Sequence, residues 1–315
     1  MNKKMYASVE AISKAIIPLK FHFLFRRLKR RLMPDDYKKL TCVWFTTWVC
    51  NFRCPYCWQL EEPGTYRKRY DFSPEDWLNV WKRISSDFDE IVIGISGGEP
   101  FLTKGFMPML NSLPGNIKYE ITSNLSFDID MFLSFENIKK HCLGVVCSFH
   151  PSASSGQGNY MAGFFAKVRK LKALRYTRVN FVAAPTNLKF YDAVKSFCDE
   201  NNIGLHVDRY VFLGKGMQFT AAESEFAETI IANDRKQSLG GKRTVLCNGG
   251  NEHIALLPDG SMYPCLRKAE LREDLVGNVF SAGVHLNNKW LQCSYYPSCR
   301  GCDWDNINVR VSQLS

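Results

Sequence analysis

Short apolar runs alternate with longer amphipathic segments through the middle of this chain. Six runs read as buried parallel strands, at residues 43–49, 91–96, 117–123, 143–149, 179–184 and 203–213. Segments with helical periodicity separate most of them, at residues 73–88, 128–140, 163–174 and 187–201. This alternation predicts an α/β fold with a parallel sheet and helices outside it. Six units predict an incompletely closed, partial (β/α)6 TIM-like barrel over residues 41–214, with its chemistry at the carboxyl ends of the strands.

The strand–helix alternation ends near Gly214. Residues 215–242 read as a connector with one helix, and residues 243–315 are dense in cysteine, glycine and turn residues. A hairpin is predicted to turn at Asp259-Gly260, because this dipeptide favours tight turns between strands. We therefore predict a small Cys-rich domain over residues 243–315.

Residues 1–40 form a basic amphipathic extension. They hold eleven Lys/Arg and three acidic residues, a net charge of +8 out of +10 for the whole chain. Its apolar positions recur at helical spacing opposite the arginines, at Phe21, Leu24, Phe25, Leu28 and Leu32. Such a helix could pack against the barrel, lie on an anionic membrane surface, or bind a nucleic-acid backbone. Nucleic acid is the least favoured of the three.

The amino-terminal segment does not read as an export signal. Glu10 and Lys14 interrupt any apolar core of a signal peptide, and no run approaches 18 uninterrupted apolar residues. We therefore expect a cytoplasmic protein, with peripheral membrane contact confined to residues 1–40. In a reducing compartment, twelve cysteines favour metal ligation over disulfides.

Three of these cysteines, Cys50, Cys54 and Cys57, have the spacing C-x3-C-x2-C directly after the first predicted strand. A [4Fe–4S] cluster normally takes four cysteine ligands, so a compact triad leaves one iron open to a ligand from outside the protein. A zinc knuckle or a chance grouping are the alternatives. Zinc sites favour two matching C-x2-C pairs, which this segment lacks.

The second predicted strand ends in SGGEP, residues Ser96 to Pro100. Gly97 and Gly98 would let the backbone approach a ligand closely, and Glu99 adds a carboxylate beside it. Together with the triad, this segment resembles the radical S-adenosylmethionine (SAM) enzymes. CNFRCPYC matches their cluster motif, with the aromatic Tyr56 before the third cysteine, and SGGEP matches their methionine-binding segment.

The resemblance implies a role for each of these residues. The triad would hold a [4Fe–4S] cluster whose open iron is chelated by the amine and carboxylate of SAM. Glu99, with the backbone at Gly97 and Gly98, would bind the methionine ammonium, and Tyr56 would lie near the adenine. A reductant such as flavodoxin or ferredoxin would supply the electron that cleaves SAM to a 5′-deoxyadenosyl radical.

Four polar residues close the third and fourth strands: Ser123, Asn124, Ser148 and His150. The family contacts the SAM carboxylate and ribose from such positions. Strand-end capping and turn chemistry explain the same residues equally well. Trp58, Asp208, Arg209 and Tyr210 are candidate pocket residues, which core packing or rim ion pairs explain at least as well.

A second set of cysteines lies in the carboxyl-terminal region: Cys247, Cys265, Cys299 and Cys302. Four thiolates satisfy a [4Fe–4S] cluster, and a structural zinc is the alternative. The segment from Cys247 to Cys265 resembles the start of SPASM and twitch auxiliary-cluster domains. This implies one auxiliary cluster for electron transfer, with Cys293 as a possible replacement ligand. We expect Cys42, Cys142, Cys147 and Cys198 to be core thiols.

The resemblance implies hydrogen abstraction from a small-molecule substrate, such as a sugar, cyclitol or lipid-linked precursor, leading to dehydrogenation or epimerisation. Maturation of a ribosomal precursor peptide is the first alternative. RNA modification that uses the basic amino terminus is the second.

Overall fold

The computed structural model describes residues 37–57, 72–154, 159–210, 218–234, 245–281, 286, 291–293 and 309–311. The helix predicted within residues 1–40, the candidate pocket residue Trp58, and the candidate ligands Cys299 and Cys302 lie outside the described residues. Within those residues, no helix is both long enough and apolar enough to cross a bilayer.

Six parallel strands form the body of the sheet and follow each other in chain order. They are β1 (Lys39–Phe45), β2 (Glu90–Ser96), β3 (Ile117–Ser123), β4 (Cys142–Phe149), β5 (Tyr176–Ala183) and β6 (Gly204–Arg209). The strand β6 ends the sheet on one side, so the sheet is open. The predicted α/β fold with a partial barrel is confirmed.

The helices of the described residues are α1 (Pro74–Ser85), α2 (Phe106–Asn111), α3 (Ile129–Ser134), α4 (Glu136–His141), α5 (Tyr160–Leu171), α6 (Tyr191–Glu200), α7 (Ala221–Asp234) and α8 (Leu266–Leu271). Where one helix was predicted over 128–140, two are found, because the intervening Phe135 has an extended backbone (φ −78°, ψ 115°). The helix α2 was not predicted, since six residues are too few to show helical periodicity.

Alternate residues of the strands build the core between sheet and helices. In β3, the buried apolar residues are Ile117, Tyr119 and Ile121. In β1, the Trp44 ring lies 4.8 Å from that of Trp77 on α1, measured between ring centroids. The four thiols predicted in the core are at most 3% exposed, which confirms their assignment: Cys42, Cys142, Cys147 and Cys198.

The carboxyl-terminal strands are β7 (Val245–Cys247), β8 (His253–Leu256), β9 (Ser261–Tyr263), β10 (Gly277–Asn278), β11 (Leu291–Gln292) and β12 (Val309–Val311). The strand β8 lies parallel to β1, and β9 and β10 extend the same sheet to nine strands. The turn between β8 and β9 contains Asp259-Gly260, as predicted. The strand β7 lies between β11 and β12 in a second, three-stranded sheet. The main sheet therefore continues past residue 243, and the domain boundaries stay predictions.

Candidate active site

The ends of β1 and β2 bring the cysteine loop and the SGGEP segment together. Beyond the paired residues of these strands, Gly98 N donates to Thr47 O at 2.6 Å, and Glu99 N donates to Val49 O at 2.9 Å. Val49 directly precedes Cys50 in the chain. The SGGEP backbone therefore fixes the point from which the cysteine loop leaves the sheet.

The two glycines of SGGEP make this contact possible. A Cβ at Gly97 would collide with the carbonyl oxygen of Thr47, and one at Gly98 would collide with that of Val49. Gly97 also has φ +133°, a backbone conformation that other residues rarely adopt. The sequence predicted that these glycines allow close approach of a ligand. In the structure, the backbone of residues 47–49 fills the space that their missing side chains leave.

Glu99 is completely buried, and its carboxylate joins the ends of β2 and β3. Its oxygens accept hydrogen bonds from Phe101 N (3.2 Å), Ser123 Oγ (2.9 Å) and Asn124 N (2.8 Å). Burial raises the pKa of Glu99 to about 7, although these hydrogen bonds and the charge of Lys167 favour ionisation. The side chain therefore positions two of the residues that were predicted to contact SAM.

The surroundings of the triad disfavour ionisation of two of its thiols when no metal is bound. Burial raises the pKa of Cys50 and raises that of Cys54 to about 12, and in both cases the neighbouring Cys57 raises it further. The negative charge of Glu99 also raises the pKa of Cys50, because it disfavours a second negative charge on the thiolate.

These residues fit a four-iron cluster better than a single metal ion. In the described part of the chain, no group of three or more His, Cys, Asp or Glu side chains is gathered closely enough to hold one ion. A cubane cluster does not require such convergence, because each cysteine binds a different iron. Cys50, Cys54 and Cys57 form no disulfide, and three such thiols in one loop have the donor chemistry of a cluster with one open iron.

Two nitrogen donors point at the sulfur of Cys50. Phe52 N donates to Cys50 Sγ at 3.4 Å, and Asn124 Nδ2 donates to it at 3.8 Å. The Asn124 amide also donates to Asn51 Oδ1 at 3.0 Å. Asn51 and Phe52 belong to the cysteine motif itself, and the sequence analysis assigned them no role.

A group of aromatic side chains contacts the cysteine loop at Phe52 and Tyr56. The hydroxyl of Tyr56 is 2.9 Å from His150 Nδ1, and the Tyr160 hydroxyl accepts a hydrogen bond from His150 N at 3.0 Å. The Phe52 ring meets the rings of both His150 and Tyr160 edge to face. Burial lowers the pKa of His150 to about 4, so the imidazole is neutral at physiological pH. A role for Tyr56 near adenine stays a prediction.

A cavity of about 560 Å³ opens beside Asn51 and Phe52. Its walls come from the turn after β3 and from α5, with Phe127 and Tyr160 among the aromatic residues and Lys167 as the cation. Of the residues that were predicted to bind SAM, Asn124 lines this cavity. Lys167 was not recognised from the sequence, where it appears as one of two lysines on α5.

Ser148 is buried in β4, where it pairs in register with Asn180 of β5. At the end of β6, Asp208 accepts a hydrogen bond from Asn180 Nδ2 at 2.8 Å and lies 3.2 Å from His206 Nε2. Burial alone would raise the pKa of Asp208, but these two hydrogen bonds lower it overall. Arg209 forms an ion pair with Glu228 of α7, as the rim-contact alternative supposed.

The second set of cysteines is partly described. Cys247 is on β7, opposite Leu291 of β11 on one side and Val309 of β12 on the other. Its sulfur accepts a hydrogen bond from Gly249 N at 3.2 Å, and Gly249 also approaches the Pro264 carbonyl next to Cys265. The structure thus brings the surroundings of Cys247 and Cys265 together. Their metal-binding role stays a prediction.

Family models and curated proteins gave no match to this chain. Among solved structures, Streptococcus suis SuiB bound to S-adenosylmethionine matches with a TM-score of 0.55 and 15% identity, over 82% of this chain and 67% of SuiB. SuiB bound to its precursor peptide SuiA matches with a TM-score of 0.56 and 14% identity, over 82% and 65%. The structure of anSMEcpe with bound AdoMet has a TM-score of 0.56 and 17% identity, over 78% and 76%.

This chain has the fold of the radical SAM enzymes. The resemblance that the sequence motifs carry is thereby confirmed at the level of fold. The chain spans about two thirds of the length of SuiB. Within the radical SAM fold, the cysteine triad and SGGEP lie at the carboxyl ends of β1 and β2, where parallel α/β barrels carry their active sites.

Proposed function

We propose that this protein is a radical SAM enzyme in which Cys50, Cys54 and Cys57 hold a [4Fe–4S] cluster. The observation that carries the proposal is the junction of the two motifs, where SGGEP is hydrogen-bonded to the residues that lead into Cys50. When bound, the cluster and SAM together supply a 5′-deoxyadenosyl radical for hydrogen abstraction from substrate carbon.

The chain's own groups would hold SAM at this junction. Glu99 is a buried carboxylate whose backbone is hydrogen-bonded to the residue before Cys50, and a cation beside the carboxylate would favour its ionised form. Ser123, Asn124, Ser148, Tyr56 and the backbone at Gly97 and Gly98 complete the proposed SAM contacts. The neutral His150, held against the Tyr56 hydroxyl, would limit the freedom of this tyrosine beside the cofactor.

We propose two candidate classes of substrate. A small molecule such as a sugar, cyclitol or lipid-linked precursor is the first, and dehydrogenation or epimerisation is the corresponding reaction. A peptide is the second, because solved structures with this fold include SuiB bound to precursor peptide SuiA and anSMEcpe with the Cp18Cys peptide. A flavodoxin or ferredoxin would reduce the cluster, and residues 1–40 would provide any contact with an anionic membrane.

The carboxyl-terminal cysteines would hold an auxiliary [4Fe–4S] cluster that exchanges electrons with the substrate radical. The position of Cys247 between β11 and β12 supports this proposal, because the segment that connects those two strands contains Cys299 and Cys302. Together with Cys265, these residues form the proposed set of four ligands.

The test is anaerobic reconstitution followed by iron analysis and SAM cleavage. We expect about eight iron and eight sulfide per chain, and about four after Cys50, Cys54 and Cys57 are changed to alanine. With dithionite and SAM, the wild type should release 5′-deoxyadenosine and the triple variant should not. The matched control is Cys198→Ala, a core thiol that should leave both measurements unchanged. Equal SAM cleavage by the wild type and the triple variant would refute the proposal.

A further inference from the structure

Asn124 directs its side chain at a cysteine of the triad rather than into open space. The side chain is 7% exposed, and its Nδ2 lies 3.8 Å from Cys50 Sγ and 3.0 Å from Asn51 Oδ1. Its Oδ1 accepts a hydrogen bond from Ser126 N at 2.9 Å. A backbone N–H can only donate, so this contact fixes which end of the amide is oxygen. The nitrogen is therefore the end that faces the sulfur.

A strained turn holds this orientation. Leu125, the next residue, has φ +62°, a left-handed conformation that costs energy for any residue with a side chain. Three hydrogen bonds stabilise the turn: Leu125 N to Ser123 Oγ at 3.0 Å, Ser126 N to Asn124 Oδ1, and Lys167 Nζ to Leu125 O at 2.6 Å. A regular strand end would need none of these contacts.

Hydrogen bonds also anchor this turn to SGGEP. The buried Glu99 carboxylate accepts hydrogen bonds from Asn124 N and from Ser123 Oγ. A continuous path of hydrogen bonds thus leads from Glu99 through the backbone of Asn124 to its amide and then to Cys50. The Asn124 amide closes the turn with its oxygen, as the turn-chemistry alternative supposed, and its nitrogen donates to Cys50.

We infer that Asn124 is a positioning residue for the triad cluster, which orients Cys50 and donates an N–H···S hydrogen bond to its thiolate. The inference rests on the proposed function, because it needs a cluster on Cys50. Hydrogen bonds to cluster sulfurs set the reduction potential, and a donor stabilises the reduced, more negative state. Asn124 therefore raises the potential at which the triad cluster accepts its electron.

The test compares Asn124→Ala with two control variants of the same turn. Asn51→Ala and Ser126→Ala each remove a side chain that belongs to the Asn124 network, but neither removes the bond from Asn124 to Cys50. The triad cluster is identified as the one whose electron paramagnetic resonance spectrum changes when SAM is added, and its midpoint potential is then measured by anaerobic redox titration.

At the potential where the wild-type cluster is half reduced, we expect Asn124→Ala to show a ratio of reduced to oxidised cluster about tenfold lower. For one electron this equals a shift of about 59 mV to lower potential. The two controls should stay within about twofold of the wild type. An Asn124→Ala protein with full iron content and an unchanged midpoint would overturn the inference.

If Asn124→Ala fails to bind the cluster, Asn124→Asp is measured in its place. This variant keeps the side-chain oxygen that closes the turn and removes the N–H donor. The inference is supported if Asn124→Asp binds the cluster and lowers its midpoint potential by more than Asn51→Asp does. Both Asn124 variants could instead lose iron while their metal-free forms unfold at the same temperature as the wild type. That result would overturn the inference, because Asn124 would then act only in assembly of the cluster. Wild-type protein without a SAM-responsive cluster refutes the proposed function itself, and the inference with it.

Discussion

The carboxylate of Glu99 accepts a hydrogen bond of 2.8 Å from the backbone N–H of Asn124, and this contact joins the ends of β2 and β3 inside the protein. A carboxylate with no exposed surface is costly to ionise. Its protonation must therefore be linked to the stability of the metal-free protein in the pH range where it titrates.

For Glu99, we predict a loss of stability with rising pH. The folded protein holds its proton up to a pKa of about 7, against an ordinary value of 4.5, so the folded state binds more protons between these values. The contribution is present below pH 4.5 and is lost as the pH rises through 7, by about 3 kcal/mol. Urea unfolding of the metal-free wild type and Glu99→Gln from pH 4.5 to 8 measures it. Parallel pH curves for the two proteins would contradict this prediction.

For Gly98, we predict that alanine damages the cysteine loop. The added methyl group collides with the carbonyl oxygen of Val49, which directly precedes Cys50. Overpacking of this kind costs about 1–3 kcal/mol of unfolding free energy. Gly98→Ala should also hold less iron after reconstitution. Gly115→Ala is the control, since a Cβ there has no atom within 4 Å, and it should leave iron content unchanged. Normal iron content in both variants would show that the loop tolerates the displacement.

For Tyr56 and His150, we predict a measurable coupling between the two side chains. Their hydrogen bond of 2.9 Å should contribute about 1 kcal/mol. A double-mutant cycle with Tyr56→Phe and His150→Phe isolates it from the other effects of each change. Tyr160→Phe is the matched control, because its hydroxyl contacts the backbone of His150 and should not couple to the imidazole. Additive free energies for the Tyr56 cycle would rule the coupling out.

For Cys247 and Cys265, we predict loss of one cluster without loss of SAM cleavage. Changing both to serine should lower iron by about four per chain, while slow formation of 5′-deoxyadenosine continues at the triad. Iron and zinc analysis of the reconstituted protein, beside the core variant Cys198→Ala, provides the measurement. Zinc bound to the wild type and lost from the double variant would assign these cysteines to a structural zinc site instead.

The bounds of β2, β3 and β4 could be predicted from the sequence to within one residue, and those of β1 could not. The prediction for β3 matches its bounds, because a strand buried among neighbours shows its pattern plainly. The prediction for β1 was displaced to 43–49, whereas the strand is Lys39–Phe45. The prediction extended too far because Trp48 is apolar, like a strand residue. Its side chain is instead buried after the strand, in a separate cluster with Phe45, Leu257 and Tyr263.

For the candidate site, the motifs predicted the cysteines and Glu99, but not the contacts that hold these residues in place. The contact of Asn124 with Cys50 depends on a left-handed backbone at Leu125, which leucine rarely adopts and which no residue type signals. The pairing of Gly98 with Thr47 likewise joins two strand ends that are about fifty residues apart in the chain. Local patterns carry no information on such long-range contacts.

The strand β8 covers the outer edge of β1 along Thr41–Trp44. A chain that ended at residue 242 would therefore present the backbone of β1 as an unprotected edge, and such edges recruit strands from other molecules. The hydrogen bonds between β8 and β1 therefore join the cysteine-rich region to the barrel, on the strand that leads into the triad loop. We expect that neither can be exchanged or removed as an independent unit, because shortening the protein there would yield aggregates in place of a smaller folded protein.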